Sequence, residues 1–436
     1  MSNTELRDRR RFLHECAGVV AATAVAGISG CASPSGSNDW TNLARARDGR
    51  DDDRLWRLVR QQFALTPGYA YFNAGGLGPS PRPVTDAWVR ESADLERRCE
   101  TGHERIQAVR RKLSEFLGCA EDKLAITRNA TEGMNLVARG LALHAGDEVL
   151  ITTHEHPGGA IPWLALEKDS GIRVNLVEPG DGAEDTLNRV AAAITPRTRV
   201  VAVRHILCTT GLRLPAREIV RLCRDRGVIP VLDGAQAVGM IPVNLHDLGC
   251  DFYVASGHKW LLGPKGTGLL YIRAEARDLW RPTHVGAWSD QRYDLDERVL
   301  EFRRAAEVVE CGTRNTALVA GLGAAVDFLS TLGMERVARR GRVLALYVRQ
   351  RLHDVPALQM LTPSDEASSA SIVTFAAEDE AGDVRTWAQP LQQRFNVRVR
   401  PVGEHGLKAL RVCTHICNTR AEIDRLVAAL SEMSAA

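Results

Sequence analysis

Short apolar runs alternate with amphipathic stretches along most of the chain, beginning near Leu55. The amphipathic stretches have the helical spacing of apolar residues, and they predict helices over residues 106–117, 132–143 and 216–226. The apolar runs have strand length, and they predict strands at residues 148–152, 174–177, 200–203, 228–232, 252–255 and 268–272. Strands that alternate with helices are typical of a mainly parallel sheet covered by helices on both faces. The pattern therefore predicts an α/β fold.

The pattern changes after about Thr316. A long helical stretch over residues 317–351 comes first. The remaining predicted elements are strands at residues 370–375, 397–400 and 409–412, and a closing helix at residues 420–433. We therefore predict a large domain at residues 55–315 and a smaller α+β domain at residues 316–436. A polar tether at residues 32–54 precedes them.

Residues 1–31 have the form of an export signal. A cationic cluster precedes an apolar segment rich in Ala and Gly, which is too short to cross a bilayer. Arg9 and Arg10 fit the twin-arginine pattern, in which any residue and then Phe-Leu follow two arginines. Ile28-Ser29-Gly30-Cys31 also resembles a bacterial lipobox, and an ordinary cleavage site with an incidental cysteine is the alternative. We expect the twin-arginine machinery to export the protein to the periplasm, with or without a lipid anchor on Cys31.

The composition narrows the classes of partner. Of 436 residues, 44% are apolar and 25% are charged, as in ordinary globular proteins. The net charge of +2 offers no field for nucleic acid. The 10 cysteines show no zinc pattern, and we expect most of them to be thiols in the core. Arginines far outnumber lysines, so any chemistry that needs an amine has few candidates.

An acid and an amine follow two neighbouring predicted strands. Asp233, in VLDGAQAVG, ends one strand, and Lys259, in SGHKWLLGPKG, follows the next. Because ligands of open α/β sheets bind at the carboxyl ends of strands, the two groups can flank one ligand. Pyridoxal phosphate (PLP) needs this pair, since its aldehyde reacts with a lysine amine and its ring nitrogen needs a carboxylate. The alternative for Asp233 is a cap on the following helix.

A phosphate group would find donors nearby. Thr131, in TRNATEG, would lie in the first turn of a predicted helix, where backbone N–H groups bind anions. A simple Thr N-cap is the alternative. Ser256 and His258, just before Lys259, can supply further donors.

The motif THEHPGG, residues 153–159, places His154 and His156 on one face of a strand end. Three interpretations stay open. A histidine can stack on a flat cofactor ring, it can be structural, or it can bind a metal. For a metal, only His205 offers an obvious further ligand, and we predict none.

At this point the residues resemble a known family. SGHKWLLGPKGTGLLYI, together with VLDGAQAVG, resembles the class V aminotransferase group of fold-type I PLP enzymes. Within that group the chain is similar to isopenicillin N epimerase-like proteins and cysteine desulfurases, from about Tyr71 to Arg411. The resemblance implies PLP as the cofactor and a seven-stranded, mainly parallel sheet in the large domain. It also implies a homodimer with shared active sites.

The resemblance implies a role for each matching residue. Lys259 corresponds to the Schiff-base lysine, Asp233 to the partner of the ring nitrogen, and His156 to the catalytic residue that stacks on the ring. Arg411 corresponds to the arginine that holds a substrate α-carboxylate, with Asn73 beside the substrate, and a structural ion pair is its alternative. The other implied cofactor contacts are Gln236 at the phenolic oxygen, Thr131, Ser256 and His258 at the phosphate, Thr313 at the neighbouring subunit's phosphate, and Ala130 and Cys208.

The chain departs from the desulfurase pattern at two points. Cys208 stands where desulfurases would have an asparagine near the ring oxygen, and a thiol is a poor hydrogen-bond donor. Desulfurases also need a nucleophilic cysteine on a mobile loop before the carboxylate arginine. No cysteine occurs between Cys311 and Cys413, so we do not expect desulfuration through a persulfide.

Lys259 is the natural base for moving an α-proton, which leaves epimerisation, transamination and elimination open. The export signal favours a secreted peptide or a maturing natural product over the central amino-acid pools. One alternative is a periplasmic siderophore-maturation enzyme of the pyoverdine type, which modifies a glutamate residue. Another is a non-catalytic binding protein, or a lipoprotein scaffold, on a PLP fold.

Overall fold

The computed structural model describes residues 41–42, 53–365, 367–379 and 382–434. The predicted export signal, with Arg9, Arg10 and Cys31, and nearly all of the predicted tether lie outside the described residues. In the described part, the first elements are α1 (Asp53–Arg60), β1 (Ala70–Tyr71), α2 (Arg82–Arg98) and α3 (Ile106–Leu117). The helix predicted over residues 106–117 is confirmed, because α3 has the same bounds.

A seven-stranded sheet follows. Its strands are β2 (Leu124–Thr127), β3 (Glu148–Thr152), β4 (Arg173–Val177), β5 (Thr198–Arg204), β6 (Ile229–Asp233), β7 (Phe252–Ser256) and β8 (Gly268–Ile272). The spatial order is β2-β8-β7-β6-β5-β3-β4. Strands β3 to β7 run parallel, whereas β8 pairs antiparallel with both β7 and β2. The predicted α/β fold with a mainly parallel seven-stranded sheet is confirmed.

Helices between the strands cover the sheet. They are α4 (Ala130–Gly140), α5 (Pro157–Ser170), α6 (Ala183–Ala193), α7 (Ala216–Asp225) and α8 (Leu245–Leu248). Strands β3, β7 and β8 are buried along their whole length, which explains why their sequences are continuous apolar runs. Val231, Phe252 and Leu270 belong to one core cluster with residues of α4, such as Val137.

A surface hairpin follows, formed by β9 (Asp290–Asp294) and β10 (Val299–Phe302). The helical stretch predicted over residues 317–351 is then two helices, α9 (Thr316–Leu332) and α10 (Met334–Leu352). Gly333 separates them with a φ of 82°, a conformation that residues with a Cβ rarely adopt. In the described residues no single helix is long and apolar enough to cross a membrane; α9 and α10 suffice only together, and they are bent by 80°.

The C-terminal elements are β11 (Leu358–Met360), β12 (Ile372–Ala377), α11 (Ala388–Phe395), β13 (Val397–Arg398), β14 (Arg400–Val402), β15 (Ala409–Cys413) and α12 (Arg420–Ser434). An antiparallel sheet has the order β11-β12-β15-β14. Strand β1 pairs with β13, and Phe72 packs in the same core cluster as Phe375 and Leu410. The N-terminal segment thus contributes to the C-terminal core, and the domain boundary at residues 315 and 316 stays a prediction.

Candidate active site

A cavity of about 300 Å³ lies where β5, β6 and β7 end. It brings together most of the predicted site residues: Ala130, Thr131, His156, Cys208, Asp233, Gln236, Ser256, His258, Lys259 and Arg411. Asn73 lies behind them and contacts Arg411. Thr313 lines a different cavity, next to Arg314. A larger cavity, of about 1000 Å³, contains none of the predicted residues apart from His205, so we assign the site to the smaller one.

Lys259 follows β7 and is half-buried in the cavity wall. Burial lowers the pKa of its amine to about 8, although Asp233 opposes the shift. The segment around Gly78 holds the loop that contains Lys259, because the Gly78 N–H donates to the His258 carbonyl at 2.7 Å. A Cβ on Gly78 would lie 1.8 Å from the Lys259 carbonyl oxygen. Only glycine permits this approach, and the lysine is therefore fixed in position with an amine that is readily deprotonated.

Asp233 is the last residue of β6, and its carboxylate is buried. One oxygen, Oδ1, accepts the Ala235 N–H at 2.8 Å, and residues 235–237 form a turn rather than a helix. The other oxygen, Oδ2, accepts from Nη2 of Arg204 at 3.1 Å. The alternative in which Asp233 caps a following helix is therefore wrong, and its carboxylate lines the cavity.

Sequence reasoning missed Arg204 and Glu155. Arg204 ends β5 in register with Asp233 at the end of β6, and it lines the cavity. Its Nε donates to Glu155 Oε2 at 3.1 Å, while its Nη1 has no partner within the described residues. A signal for Arg204 was present, because a charged residue directly after the run Val200–Val203 needs a buried partner.

One end of the cavity suits a phosphate group. Helix α4 begins there, and its N-cap is Asn129, whose side chain accepts the Glu132 N–H at 2.8 Å. The alternative in which Thr131 is the N-cap is therefore wrong, although Thr131 does lie in the first turn. Ser256 Oγ accepts the Ala130 N–H at 3.2 Å, and His258 Nδ1 is buried without a partner in the described part of the chain. These donors at a helix N-terminus are an anion site.

His156 is the N-cap of α5, and its Nδ1 accepts the Gly158 N–H at 3.0 Å. Burial, together with the charges of Arg204 and Lys259, lowers the pKa of His156 to about 4. The imidazole is therefore neutral near pH 7 and carries its proton on Nε2, since Nδ1 is an acceptor. A neutral ring lining the cavity is compatible with stacking on a flat ligand.

The other two histidines considered for a metal are bonded elsewhere. His205 Nδ1 lies 3.0 Å from the Tyr253 hydroxyl, and His154 Nδ1 lies 2.7 Å from Thr209 Oγ1. A different group forms instead, in which ligand atoms of His154, Glu178 and His405 lie within 4.8 Å of one another. Hydrogen-bond contacts of 3.2 and 3.1 Å to Glu178 account for that proximity.

Gln236 is held on both sides of its amide. The Trp260 indole N–H donates to Gln236 Oε1 at 2.8 Å, and Gln236 Nε2 donates to the Gly75 carbonyl at 2.9 Å. Because an indole N–H can only donate, it fixes which end of the amide is oxygen. One amide hydrogen of Gln236 remains for a ligand.

Arg411 lies in β15, directly across from Arg400 in β14, and both line the cavity. Its guanidinium is buried, yet it contacts only neutral acceptors. Nη1 donates to the Cys208 carbonyl at 2.6 Å and Nη2 to Asn73 Oδ1 at 3.0 Å, while Nε has no partner within the described residues. Arg400, which sequence reasoning missed, pairs with Glu404. The described residues thus offer no ion pair to Arg411, which argues against its structural alternative.

Comparison with known proteins identifies the family. The model of the aminotransferase class-V family matches residues 87–426. The chain belongs to this family. Isopenicillin N epimerase of Amycolatopsis lactamdurans is 34% identical over 394 residues, which are 87% of this chain and 98% of that protein. A probable cysteine desulfurase of Methanothermobacter thermautotrophicus is 28% identical over 86% of this chain and 97% of its own.

A solved structure gives the same result. A mutant of C-DES, with glycine covalently linked to the PLP cofactor, superposes with a TM-score of 0.78. It is 28% identical, and the match covers 86% of this chain and 99% of the C-DES chain. The present chain is thus a PLP-dependent enzyme of the class V aminotransferase family.

The residues present fit this cofactor. Lys259 offers an amine whose pKa is lowered to about 8, and Asp233 offers a carboxylate for the ring nitrogen. The unpartnered His258 Nδ1 and the start of α4 offer donors for the phosphate. His156 offers a neutral ring for stacking. A lysine amine and a carboxylate partner for the ring nitrogen are the protein groups that PLP requires.

Proposed function

We propose that the protein acts at the α-carbon of an amino acid, or of an amino acid within a peptide, and that it does so outside the cytoplasm. The observation that carries the proposal is Arg411, a buried cation whose partners are all neutral. A buried charge without an opposite charge is unfavourable. A carboxylate bound from the cavity would supply the missing charge and find a planar donor group.

Different residues of the chain would then bind the substrate, contact the cofactor and move the proton. When bound, the cofactor takes up the electrons of the bond that breaks at the α-carbon. Arg411 orients the substrate by its carboxylate, and Asp233 contacts the ring nitrogen. Lys259, as a free amine, accepts the α-proton and can return it. Epimerisation needs this transfer, and transamination and elimination begin with it.

Two observations favour epimerase-type chemistry over desulfuration. Isopenicillin N epimerase is among the most similar relatives. In addition, residues 403–408, the loop between β14 and β15 that precedes Arg411, contain no cysteine. A persulfide-forming thiol on this loop is therefore not available.

Arg400 favours the pyoverdine-type alternative, in which a glutamate residue of a siderophore is modified. It lies across the strand pair from Arg411 and lines the cavity. Its Nη2 pairs with Glu404, but its Nη1 is buried without a partner in the described residues. A glutamate side chain within a peptide would offer its carboxylate to this pair even when no free α-carboxylate is present.

Proton exchange at the α-carbon tests the proposal. Purified, PLP-loaded protein is incubated in D₂O with amino acids, their α-amides and glutamate-containing peptides, and deuterium uptake is measured by mass spectrometry. We expect uptake only with carboxylate substrates, and none with Lys259→Ala. Lys265→Ala is the matched control, because Lys265 is an exposed lysine of the same loop. Binding without exchange across the whole panel would favour a non-catalytic binding protein.

Export is tested separately. The twin-arginine route exports folded proteins, which suits an enzyme that takes up its cofactor in the cytoplasm. Replacing Arg9 and Arg10 by lysine keeps the charge but removes the motif, so we expect PLP-loaded protein to stay in the cytoplasm. Continued export would contradict the assignment. Cys31→Ala, compared by membrane fractionation, distinguishes a lipid anchor from an ordinary cleavage site.

We also propose a homodimer. The hairpin of β9 and β10 exposes apolar side chains, among them Tyr293, Leu300 and Phe302. Thr313 lines a cavity at the start of the chain segment that leads into α9, where a phosphate bound in the neighbouring subunit could reach it. Light scattering should give twice the mass of the chain, and Leu300→Asp should reduce it to one copy.

A further inference from the structure

The end of the cavity behind Asp233 contains a group of three buried, charged side chains. Arg204, Glu155 and Asp233 have side-chain exposures of 2%, 4% and 6%. The guanidinium bridges the two carboxylates, with 3.1 Å from Nε to Glu155 and 3.1 Å from Nη2 to Asp233. One arginine therefore serves two acids in a deeply buried region, where charges interact strongly.

In each carboxylate, one oxygen accepts a hydrogen bond from a nearby residue and the other contacts Arg204. Glu155 Oε1 accepts the Thr152 hydroxyl at 2.7 Å, and Asp233 Oδ1 accepts the Ala235 N–H at 2.8 Å. The second oxygen of each acid faces Arg204. A cation bound in the cavity would thus share the Asp233 carboxylate with the guanidinium of Arg204. The negative charge that Asp233 offers to such a cation therefore depends on how Arg204 divides its positive charge between Asp233 and Glu155.

We propose that Arg204 is a positioning residue that weakens the attraction of Asp233 for the ring-nitrogen proton of PLP, and that Glu155 limits this effect by taking part of the Arg204 charge. The inference rests on the proposed function of the cavity as a PLP-dependent site. Arg204 and Glu155 would then determine how strongly the bound cofactor withdraws electrons.

The direction of each effect follows from charge. Glu155, whose pKa is raised to about 7, carries its negative charge above that pH. There, removing its carboxylate leaves the whole Arg204 charge on Asp233, so the ring nitrogen should lose its proton at lower pH. Removing the guanidinium frees Asp233, so the ring nitrogen should keep its proton to higher pH. A weakly protonated ring withdraws fewer electrons, which favours return of the proton to the α-carbon over its transfer to the cofactor. The arrangement therefore favours epimerisation over transamination.

The burial of Glu155 is consistent with a shared arginine. Desolvation raises the pKa of Glu155 to about 7, while Arg204 acts to lower it and Asp233 to raise it. The two acids thus compete for one cation.

The experiment uses PLP labelled with ¹⁵N at the ring nitrogen and the holoenzyme without substrate. The ¹⁵N chemical shift, followed against pH, reports ring protonation directly and does not depend on turnover. We expect Glu155→Gln to lower the pH midpoint of ring protonation by about one unit, a tenfold change, and Arg204→Gln to raise it by about as much. Glu148→Gln is the matched control, because Glu148 is also buried and paired with an arginine, Arg197, at the opposite end of β3.

Opposite shifts with an unchanged control support the inference. Equal shifts in one direction, or none, would overturn it, because a merely structural role loosens the site in both variants alike. If Arg204→Gln does not fold, Glu155→Gln decides alone, since it conserves side-chain volume, and an unmoved midpoint is then the contrary result. A protein that shows the opposite shifts but exchanges no α-proton would refute the proposed function and leave this inference intact.

Discussion

Two buried arginines border the cavity, and their surroundings differ. Arg204 lies between two carboxylates, whereas the hydrogen-bond acceptors of Arg411 are a carbonyl and an amide. Both side chains are almost fully buried. Among the described residues, Arg204 therefore has protein counter-charges, whereas Arg411 has none.

The difference separates a built-in charge from a binding site. A buried cation that the protein neutralises belongs to the permanent electrostatics of the pocket. A buried cation that it leaves with neutral partners is prepared for an anion that comes and goes. We therefore propose that Arg204 acts on the cofactor and that Arg411 binds the substrate.

Removing Lys259 should have the largest effect on turnover. The charges of both arginines act to lower the pKa of its amine. We expect Lys259→Ala to abolish turnover and the borohydride-sensitive absorbance of the bound cofactor, because Lys259 is the only lysine among the described residues that line the cavity. Lys265→Ala should keep both. If the two variants exchange these outcomes, the reactive lysine is Lys265 and the site assignment fails.

Asp233→Ala tests the end of the cavity that contains Arg204. It removes the carboxylate at the ring nitrogen and leaves Arg204 with Glu155 alone. Turnover should fall by several orders of magnitude even when the cofactor is retained. The free energy of unfolding should fall by less than the roughly 3–5 kcal/mol lost when a buried charge keeps no partner, because Glu155 still pairs with Arg204. Turnover and chemical denaturation measure the two effects, and unchanged turnover would contradict the role of Asp233.

Arg411→Lys tests the other end. A lysine keeps the charge but cannot hold a carboxylate with two parallel hydrogen bonds, so substrate binding should weaken by roughly 2–5 kcal/mol. The cofactor spectrum without substrate should not change. The measurement compares each substrate with its α-amide in both proteins. If the wild type already treats acid and amide alike, Arg411 is not the carboxylate site.

The smallest expected effect is on the pH dependence of stability. The pKa of Glu155 is raised from 4.5 to about 7 in the folded chain. Between these values the folded state holds a proton that the unfolded state has released, so stability should fall as pH rises from 4.5 to about 7. Glu155→Gln should lose this part of the slope. Denaturation of the apoprotein at several pH values measures it, and identical slopes in the two proteins would contradict the raised pKa.

The sequence by itself determined the fold class and most of the site. Six of the seven strands of the large sheet were predicted, because each contains an apolar run of strand length. The strand β2 was missed, although its four residues are all buried. The bend at Gly333 was missed too, because helical periodicity continues on both sides of it. Lys259 and Asp233 were found because charged groups after buried strands require partners.

Only the tertiary structure decided which partners those are. Arg204 and Glu155 come from different elements. The contact of Arg204 with Asp233 depends on the register of β5 against β6, and its contact with Glu155 depends on the segment that leads into α5. The neutral surroundings of Arg411 likewise depend on three separate segments, around Asn73, Cys208 and β15. A sequence shows which charges exist and where strands end. It does not show the distances of about 3 Å over which one charge neutralises another, because those distances arise only when the segments pack together.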